Sequence, residues 1–217
     1  MAETDIAADN KPELQFDVER PERSSRLLAL IRLVLLIAPW SFADTREFAS
    51  SASWLLVLPH IVVLMFLSIG LFFTSIASWF AILILGRYPR SLWDFARWVT
   101  RWYANVEVFS YGLRDQYPPF SGSAEYPARF ELAYPPRLSR LLIFVKWLLI
   151  IPHWFILIFV SIAAYVAIII GWIAVILTGR FPEGLHGFVT GWLRWSLRAL
   201  VYPMLLTDRY PPFTTSP

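Results

Sequence analysis

The sequence contains no cysteine, and its longest apolar stretches contain no charge. The absence of cysteine among the 217 residues excludes disulfides, thiolate catalysis and zinc–thiolate or iron–sulfur sites. Two stretches, 60–85 and 153–178, lack Asp, Glu, Lys and Arg altogether. At a rise of about 1.5 Å per residue, each is long enough to cross a hydrocarbon core of roughly 30 Å. We therefore predict that both stretches are transmembrane helices, which end at Gly86 and Gly179.

Charge is also scarce over the whole chain. Charged residues make up 16% and hydrophobic residues 57% of the sequence, with a mean hydropathy of +0.54. Soluble proteins have about 25% charged and 45–50% apolar residues, so a membrane protein is indicated. The sequence shows no P-loop, dinucleotide fingerprint, nucleophile elbow or pair of catalytic carboxylates. We expect no enzymatic activity, no cofactor and no nucleic-acid partner.

The apolar stretches belong to a block that occurs twice. Gly86–Pro89 matches Gly179–Pro182, and every matched position from there to the end of the block lies 93 residues apart (179 − 86). Ahead of the apolar stretches the separation is larger, since Phe16 matches Phe130 at a distance of 114 residues. The change in separation predicts an insertion of 21 residues in the first copy, at about 38–58.

This repeat sets the predicted fold class, an all-α integral membrane protein built from two tandem repeats. Each repeat comprises a short apolar helix (about 24–38 and 138–151), separate from the long transmembrane helix that follows it, and then an amphipathic interfacial helix that ends in Tyr-Pro-Pro-Phe. Alternating apolar residues also predict a short extended segment ahead of each first helix. The predicted boundaries are a disordered acidic tail at 1–15, repeat 1 at 16–120, a linker at 121–129 and repeat 2 at 130–213.

The third segment of each repeat, at 91–113 and 184–206, carries charge among tryptophans. A charge at the centre of a spanning helix costs ~2.5–3.5 kcal/mol, whereas Leu, Ile, Phe or Val returns only ~0.3–0.6 kcal/mol. We therefore predict that these segments lie in the membrane interface. Four of their arginines are candidate ligands for anionic lipid or a protein partner, with a solvated polar face as the alternative: Arg97, Arg101, Arg194 and Arg198.

Two further motifs recur at equivalent positions. His60 and His153 each follow a proline at the start of a long apolar stretch. A pair of equivalent histidines could bind haem or a metal, although an interfacial residue at a helix start is the favoured interpretation. The Tyr-Pro-Pro-Phe sequences at 117–120 and 210–213 form stiff polyproline II segments. We predict that they clamp the protein's own helices rather than bind the aromatic groove of a partner.

Base distribution predicts the topology. Basic residues cluster before each first helix and after each long helix, which places the N-terminus and the turns at Arg87 and Arg180 in the cytoplasm and residues 41–53 outside. If the first helices stay at the surface instead, the two repeats have opposite orientations. With a shared orientation, the third helices run antiparallel. We then predict two ion pairs between repeats, Arg87 with Asp208 and Arg180 with Asp115.

The combined motifs resemble the bacterial membrane proteins of domain-of-unknown-function family 4389 (DUF4389). The resemblance covers both repeats and rests on motifs that include Pro135-Pro136-Arg137-Leu138-Ser139-Arg140, Thr178-Gly179-Arg180-Phe181-Pro182 and Leu206-Thr207-Asp208-Arg209-Tyr210-Pro211-Pro212-Phe213. Repeat 1 departs from the pattern at Asn105, Glu107 and Gln116. The resemblance implies a multi-pass protein of the bacterial inner membrane and supplies no activity or catalytic residue.

Two functional classes remain open from the sequence. The first is a non-enzymatic scaffold or accessory subunit whose basic cytoplasmic face binds anionic lipid or a membrane-protein partner. The second is a small transporter or channel with a substrate near the repeat interface. A haem or metal carrier that uses His60 and His153 is a distant third.

Overall fold

A computed structural model describes residues 14–37 and 52–216, which are mostly helical. The predicted tail at 1–15 lies almost wholly outside the described residues, as does most of the predicted insertion at 38–58. In chain order the elements are β1 (Leu14–Val18), α1 (Arg26–Ile37), α2 (Ala52–Leu85), α3 (Arg90–Ser110), β2 (Ala128–Leu132), a 3-10 turn (Leu142–Phe144), α4 (Lys146–Leu149), α5 (Ile151–Thr178) and α6 (Glu183–Val201).

The two strands form a small antiparallel sheet, which confirms the predicted extended segments. Phe16 lies directly opposite Phe130, its equivalent in the other repeat. The register is therefore symmetric about this pair, so a pseudo-two-fold axis passes through the centre of the sheet. Leu14, Phe16 and Val18 are buried, and the residues between them are more exposed. This alternation is what a strand with one buried face requires.

The leading segment of each repeat packs on the helices of the other repeat. β1 lies against α6 and β2 lies against α3, while α1 packs along α5. Backbone hydrogen bonds fix this exchange, since Ser24 N donates to Gly179 O at 3.0 Å and Leu138 N donates to Gly86 O at 3.0 Å. The two repeats are thus interlocked rather than packed side by side.

The long helices α2 and α5 end as the sequence predicts. Gly86 and Gly179 adopt left-handed conformations, with φ of 69° and 75°, which stop each helix at low steric cost. Their starts differ. Pro152 lies in the first turn of α5, as expected for proline, but α2 begins seven residues before Pro59 and runs through it. Within the described residues, Val57–Leu85 and Lys146–Thr178 are each long and apolar enough to cross a membrane.

The two short first helices are unequal. α1 forms a regular helix close to the predicted 24–38. Its counterpart, predicted at 138–151, consists of the 3-10 turn and the four-residue α4, which Ile150 alone separates from α5. The predicted separation of the first and second helices is therefore reduced in repeat 2 to one residue.

The third helices, α3 and α6, run antiparallel at the centre of the molecule. Trp93 Nε1, at the start of α3, donates to Leu206 O, beyond the end of α6, at 3.1 Å. The equivalent residue His186, at the start of α6, hydrogen-bonds the backbone of Leu113 beyond the end of α3. The start of each helix thus lies beside the end of the other, which confirms the predicted arrangement.

Candidate functional site

Motif residues of repeat 1 meet around His60. Trp102 Nε1, on α3, donates to His60 Nδ1 at 3.0 Å. Phe120 stacks on the imidazole with ring centroids 4.0 Å apart, and Tyr117 packs against it at 5.0 Å. The imidazole is fully buried among these three side chains. We call this cluster of His60, Trp102, Tyr117 and Phe120 the histidine box; it joins the start of a long helix, a third helix and the Tyr-Pro-Pro-Phe segment.

Repeat 2 contains the same box around His153. Trp195 Nε1 donates to His153 Nδ1 at 2.9 Å, Phe213 stacks on the ring at 3.8 Å, and Tyr210 lies at 4.9 Å. The Tyr210 hydroxyl also donates to Leu149 O at 3.0 Å. Both Tyr-Pro-Pro-Phe segments therefore clamp the protein's own histidines, which confirms the intramolecular prediction.

Hydrogen bonding in these boxes fixes the protonation of both histidines. An indole N–H can only donate, so the Nδ1 atoms of His60 and His153 act as acceptors and carry no proton. Each neutral ring then carries its proton on Nε2. Metal ligation through Nε2 needs the opposite tautomer, with the proton on Nδ1. The observed partners thus do not fit a haem or metal ligand, and both Nε2 atoms are buried without a hydrogen-bond partner among the described residues.

Two buried bases bind the aspartates that precede the Tyr-Pro-Pro-Phe segments. Arg32 Nη1 lies 3.3 Å from Asp115 Oδ1, and Lys146 Nζ lies 2.7 Å from Asp208 Oδ1. The second oxygen of each carboxylate accepts a backbone N–H at the start of a leading helix. Ser25 N donates to Asp115, and Ser139 N donates to Asp208 at 2.5 Å. Each aspartate thus anchors the leading helix of its own repeat.

These contacts correct the predicted pairs Arg87–Asp208 and Arg180–Asp115. The partners are Lys146 and Arg32, which the exchanged leading segments bring to the carboxylates. The spacing of 114 residues already matched Arg32 with Lys146. That match was the signal for their role: both repeats have a base at the same position of an apolar segment, and a base buried there needs an acidic partner.

Two of the candidate lipid ligands, Arg194 and Arg198, are buried inside the protein. Arg194 donates to Phe16 O at 2.6 Å and to Thr215 O at 2.8 Å, and its Nη2 lies 3.2 Å from Asp17 Oδ1. Arg198 donates to Ser216 O at 3.0 Å. Burial lowers the pKa of the Arg198 guanidinium, and the neighbouring Arg194 lowers it further. These side chains hold β1 and the C-terminal segment on α6 and do not face lipid phosphate.

The other two candidates, Arg97 and Arg101, are half-buried on α3. Arg101 Nη2 donates to Ala124 O at 3.3 Å. Arg97 lies over the ring of Trp93 at 5.5 Å, a cation–π contact. Both side chains are therefore engaged in contacts with the protein.

The turn at Arg180 borders a basic cleft. Arg180, Arg23 and Arg26 line a cavity of about 670 Å³ where the end of α5 meets the start of α1. Arg140 lies at the equivalent place beside Gly86 and donates to Ile84 O at 3.0 Å. Sequence reasoning missed this grouping because Arg23 and Arg26 reach Arg180 only through the exchange of leading segments.

Comparison with known proteins gives one match, to a family. No curated protein and no solved structure matches the chain. Residues 52–122 and 140–215 each match the family described as Domain of unknown function (DUF4389). The two matched regions contain both histidine boxes and both aspartates, Asp115 and Asp208, and together they cover more than half of the chain. The chain therefore belongs to the DUF4389 family, of which it carries two tandem copies.

Proposed function

We propose that the chain is a multi-pass protein of the bacterial inner membrane that works as a non-enzymatic scaffold or accessory subunit. The exposed apolar surface of α2 and α5 carries the proposal. The side chains of Phe66, Phe73 and Ile84 are 64–69% exposed on α2. Exposing such a side chain to water rather than burying it costs about 1.5–3 kcal/mol.

This apolar surface is continuous along both long helices. Soluble monomers rarely expose contiguous apolar patches larger than a few hundred Å². Lipid tails would remove the cost, because they solvate apolar side chains as well as a protein core does. The exposed residues run from Leu58 to Leu85 on α2 and from Ile151 to Leu177 on α5, and they include Met65, Ile69, Phe72, Phe155, Ile158, Phe159, Ile162 and Val166.

A structural role is supported by how the polar motif residues are used. The histidines, tryptophans, aspartates and buried arginines of the motifs all bond to other parts of the same chain. Among the described residues, no three His, Asp or Glu side chains come together as metal ligands would. These contacts give the motifs a role in holding the fold together.

For the topology, we propose that the N-terminus and the turns at Arg87 and Arg180 face the cytoplasm. The excess of bases at these places supports that orientation. The proposed external segment, 41–53, lies almost entirely outside the described residues. The pseudo-two-fold relation of the repeats is compatible with a shared orientation when its axis lies along the membrane normal.

Single-cysteine labelling tests the membrane assignment, since the native chain has no cysteine to remove. In permeabilised cells, Met65→Cys, Phe73→Cys and Phe159→Cys should resist a charged thiol reagent, because lipid covers these side chains. Ser123→Cys, at an exposed polar position, is the control and should react fully. Denaturation in detergent should make all four reactive. Reaction of the first three at the rate of Ser123→Cys in intact membranes would contradict the proposal.

A scaffold should also belong to a larger assembly. After mild-detergent extraction, we expect the 25.1 kDa chain to migrate in native gels and light scattering as a defined complex. A harsh detergent should reduce it to the single chain. A chain that remains monomeric and without a stoichiometric partner in every mild detergent would argue against the scaffold role while leaving the membrane assignment intact.

A further inference from the structure

We propose that the basic cleft between the start of α1 and the end of α5 binds the phosphate head group of an anionic phospholipid. Arg23, Arg26 and Arg180 would bind the phosphate oxygens, and the neighbouring exposed leucines would contact the acyl chains. This inference rests on the proposed membrane location and adds to it a site, a ligand class and the residues that recognise it.

The charge of the cleft fits an anion. Its lining comprises Arg23, Ser24, Arg26, Thr178, Gly179 and Arg180 and includes no acidic residue. Across the part of the chain that the structure describes, the three arginines form no ion pair. Three guanidinium groups without a counter-charge repel one another, and a phosphate would relieve that repulsion through charge-assisted hydrogen bonds. The volume of the cleft, about 670 Å³, is large enough for a phospholipid head group.

The fold fixes the backbone of the cleft and places the three exposed arginines around it. The hydrogen bond from Ser24 N to Gly179 O joins its two walls. Gly179 has no side chain, and a Cβ placed there would lie 3.3 Å from Arg26 Nε. The guanidinium of Arg26 therefore packs directly on the end of α5. The partial negative charge of a helix C-terminus favours a cation at this place.

Apolar side chains next to the arginines distinguish a lipid from a free anion. Leu27 follows Arg26 and is 66% exposed, and Leu177 precedes Thr178 and is 73% exposed. The charge of the cleft thus meets the apolar surface of α1 and α5 at one boundary. A phospholipid has the same boundary between its phosphate and its acyl chains.

An equivalent arrangement occurs at the end of α2. Leu138 N donates to Gly86 O, and the Arg140 guanidinium packs on Gly86 as Arg26 does on Gly179. Leu141 and Leu85 are exposed beside it. Arg87 and Arg137 correspond in sequence to Arg180 and Arg23. We therefore assign a second lipid position there, so that each chain binds two.

Native mass spectrometry of the full chain tests the site. Dioctanoyl-phosphatidylglycerol is titrated into detergent-purified protein, with dioctanoyl-phosphatidylcholine and inorganic phosphate as parallel probes. We expect two phosphatidylglycerol molecules to bind per native chain. In the triple variant Arg23→Gln/Arg26→Gln/Arg180→Gln, the affinity at one of the two positions should fall by about tenfold or more. The matched control, Arg20→Gln/Arg90→Gln/Arg129→Gln, removes the same charge from arginines that already have an acidic partner and should bind normally.

The outcomes separate the alternatives. Unchanged binding in the triple variant, or an equal loss in the control, would overturn the site. Inorganic phosphate binding as tightly as phosphatidylglycerol would overturn the lipid assignment. If the triple variant does not fold, Arg180→Gln alone decides, with about a threefold loss expected. Protection of Met65→Cys from labelling is independent of these results, so the lipid site can fail while the membrane proposal stands.

Discussion

Replacing Asp208 with alanine is expected to lower the free energy of unfolding by about 3–5 kcal/mol, because it leaves a buried ammonium group without its counter-charge. Lys146 is only 1% exposed, and its Nζ lies 2.7 Å from Asp208 Oδ1. The change also removes the acceptor of the Ser139 N–H. Unfolding in a titration with denaturing detergent, followed by tryptophan fluorescence, measures the loss.

Two further variants make this prediction specific. Lys146→Met/Asp208→Ala removes both charges and should recover most of the stability, since a buried ion pair can be replaced by apolar side chains at little cost. Asp94→Ala is the control, because its pair with Arg90 is exposed and worth about 0.5 kcal/mol or less. A double variant as unstable as Asp208→Ala would show that the buried charge is not the cause.

The same series decides between the observed and the sequence-predicted partners of the aspartate. Within the described residues Arg87 forms no ion pair with Asp208, so Arg87→Gln should leave the unfolding free energy almost unchanged. If Arg87→Gln were as damaging as Asp208→Ala, the pair between repeats would be correct and the assignment to Lys146 wrong.

The features that the sequence predicted well follow from patterns that can be read directly along the chain. Constant separations identified the two copies, and glycine at the end of an apolar run predicted the helix ends at Gly86 and Gly179. Alternating apolar residues predicted the two strands, because this pattern is a property of a few neighbouring residues. The Tyr-Pro-Pro-Phe clamp followed from the stiffness of polyproline and its position beside a helix. The histidine that it clamps was identified, but its contact with the clamp was not.

The features that the sequence missed depend on which repeat supplies each neighbour. Comparing the cost of a charge with the gain from apolar residues predicts that α6 lies in the membrane interface, and this stays a prediction, but it did not predict the partners of Arg194. That comparison takes lipid or water as the only surroundings of Arg194. In the structure β1, from more than 170 residues away in the chain, supplies the acceptor and covers the helix. The exchange of leading segments likewise decides which bases reach Asp115 and Asp208; the spacing of 114 residues pointed to Arg32 and Lys146 but not to their partners.

The largest consequence of this exchange is expected at Arg194, where Arg194→Met should lower the free energy of unfolding by about 3 kcal/mol or more. The guanidinium bonds Phe16 O and Thr215 O, so its loss leaves the buried carbonyl of β1 without this donor. β1 should then detach from α6 more often. Trypsin cleavage after Arg23, which follows the strand and precedes Ser24, should accelerate.

Two matched variants test whether the destabilisation by Arg194→Met comes from the lost hydrogen bonds to backbone carbonyls. Arg101→Met, at the equivalent position of repeat 1, loses one hydrogen bond of 3.3 Å, to Ala124 O, and should cost about 1 kcal/mol. Asp17→Ala removes the exposed partner of Arg194 and should cost about 1 kcal/mol or less, because water screens that pair. If Asp17→Ala were as destabilising as Arg194→Met, the ion pair and not the carbonyls would hold β1. Equal losses from Arg101→Met and Arg194→Met would instead mean that the number of backbone carbonyls bonded does not set the size of the effect.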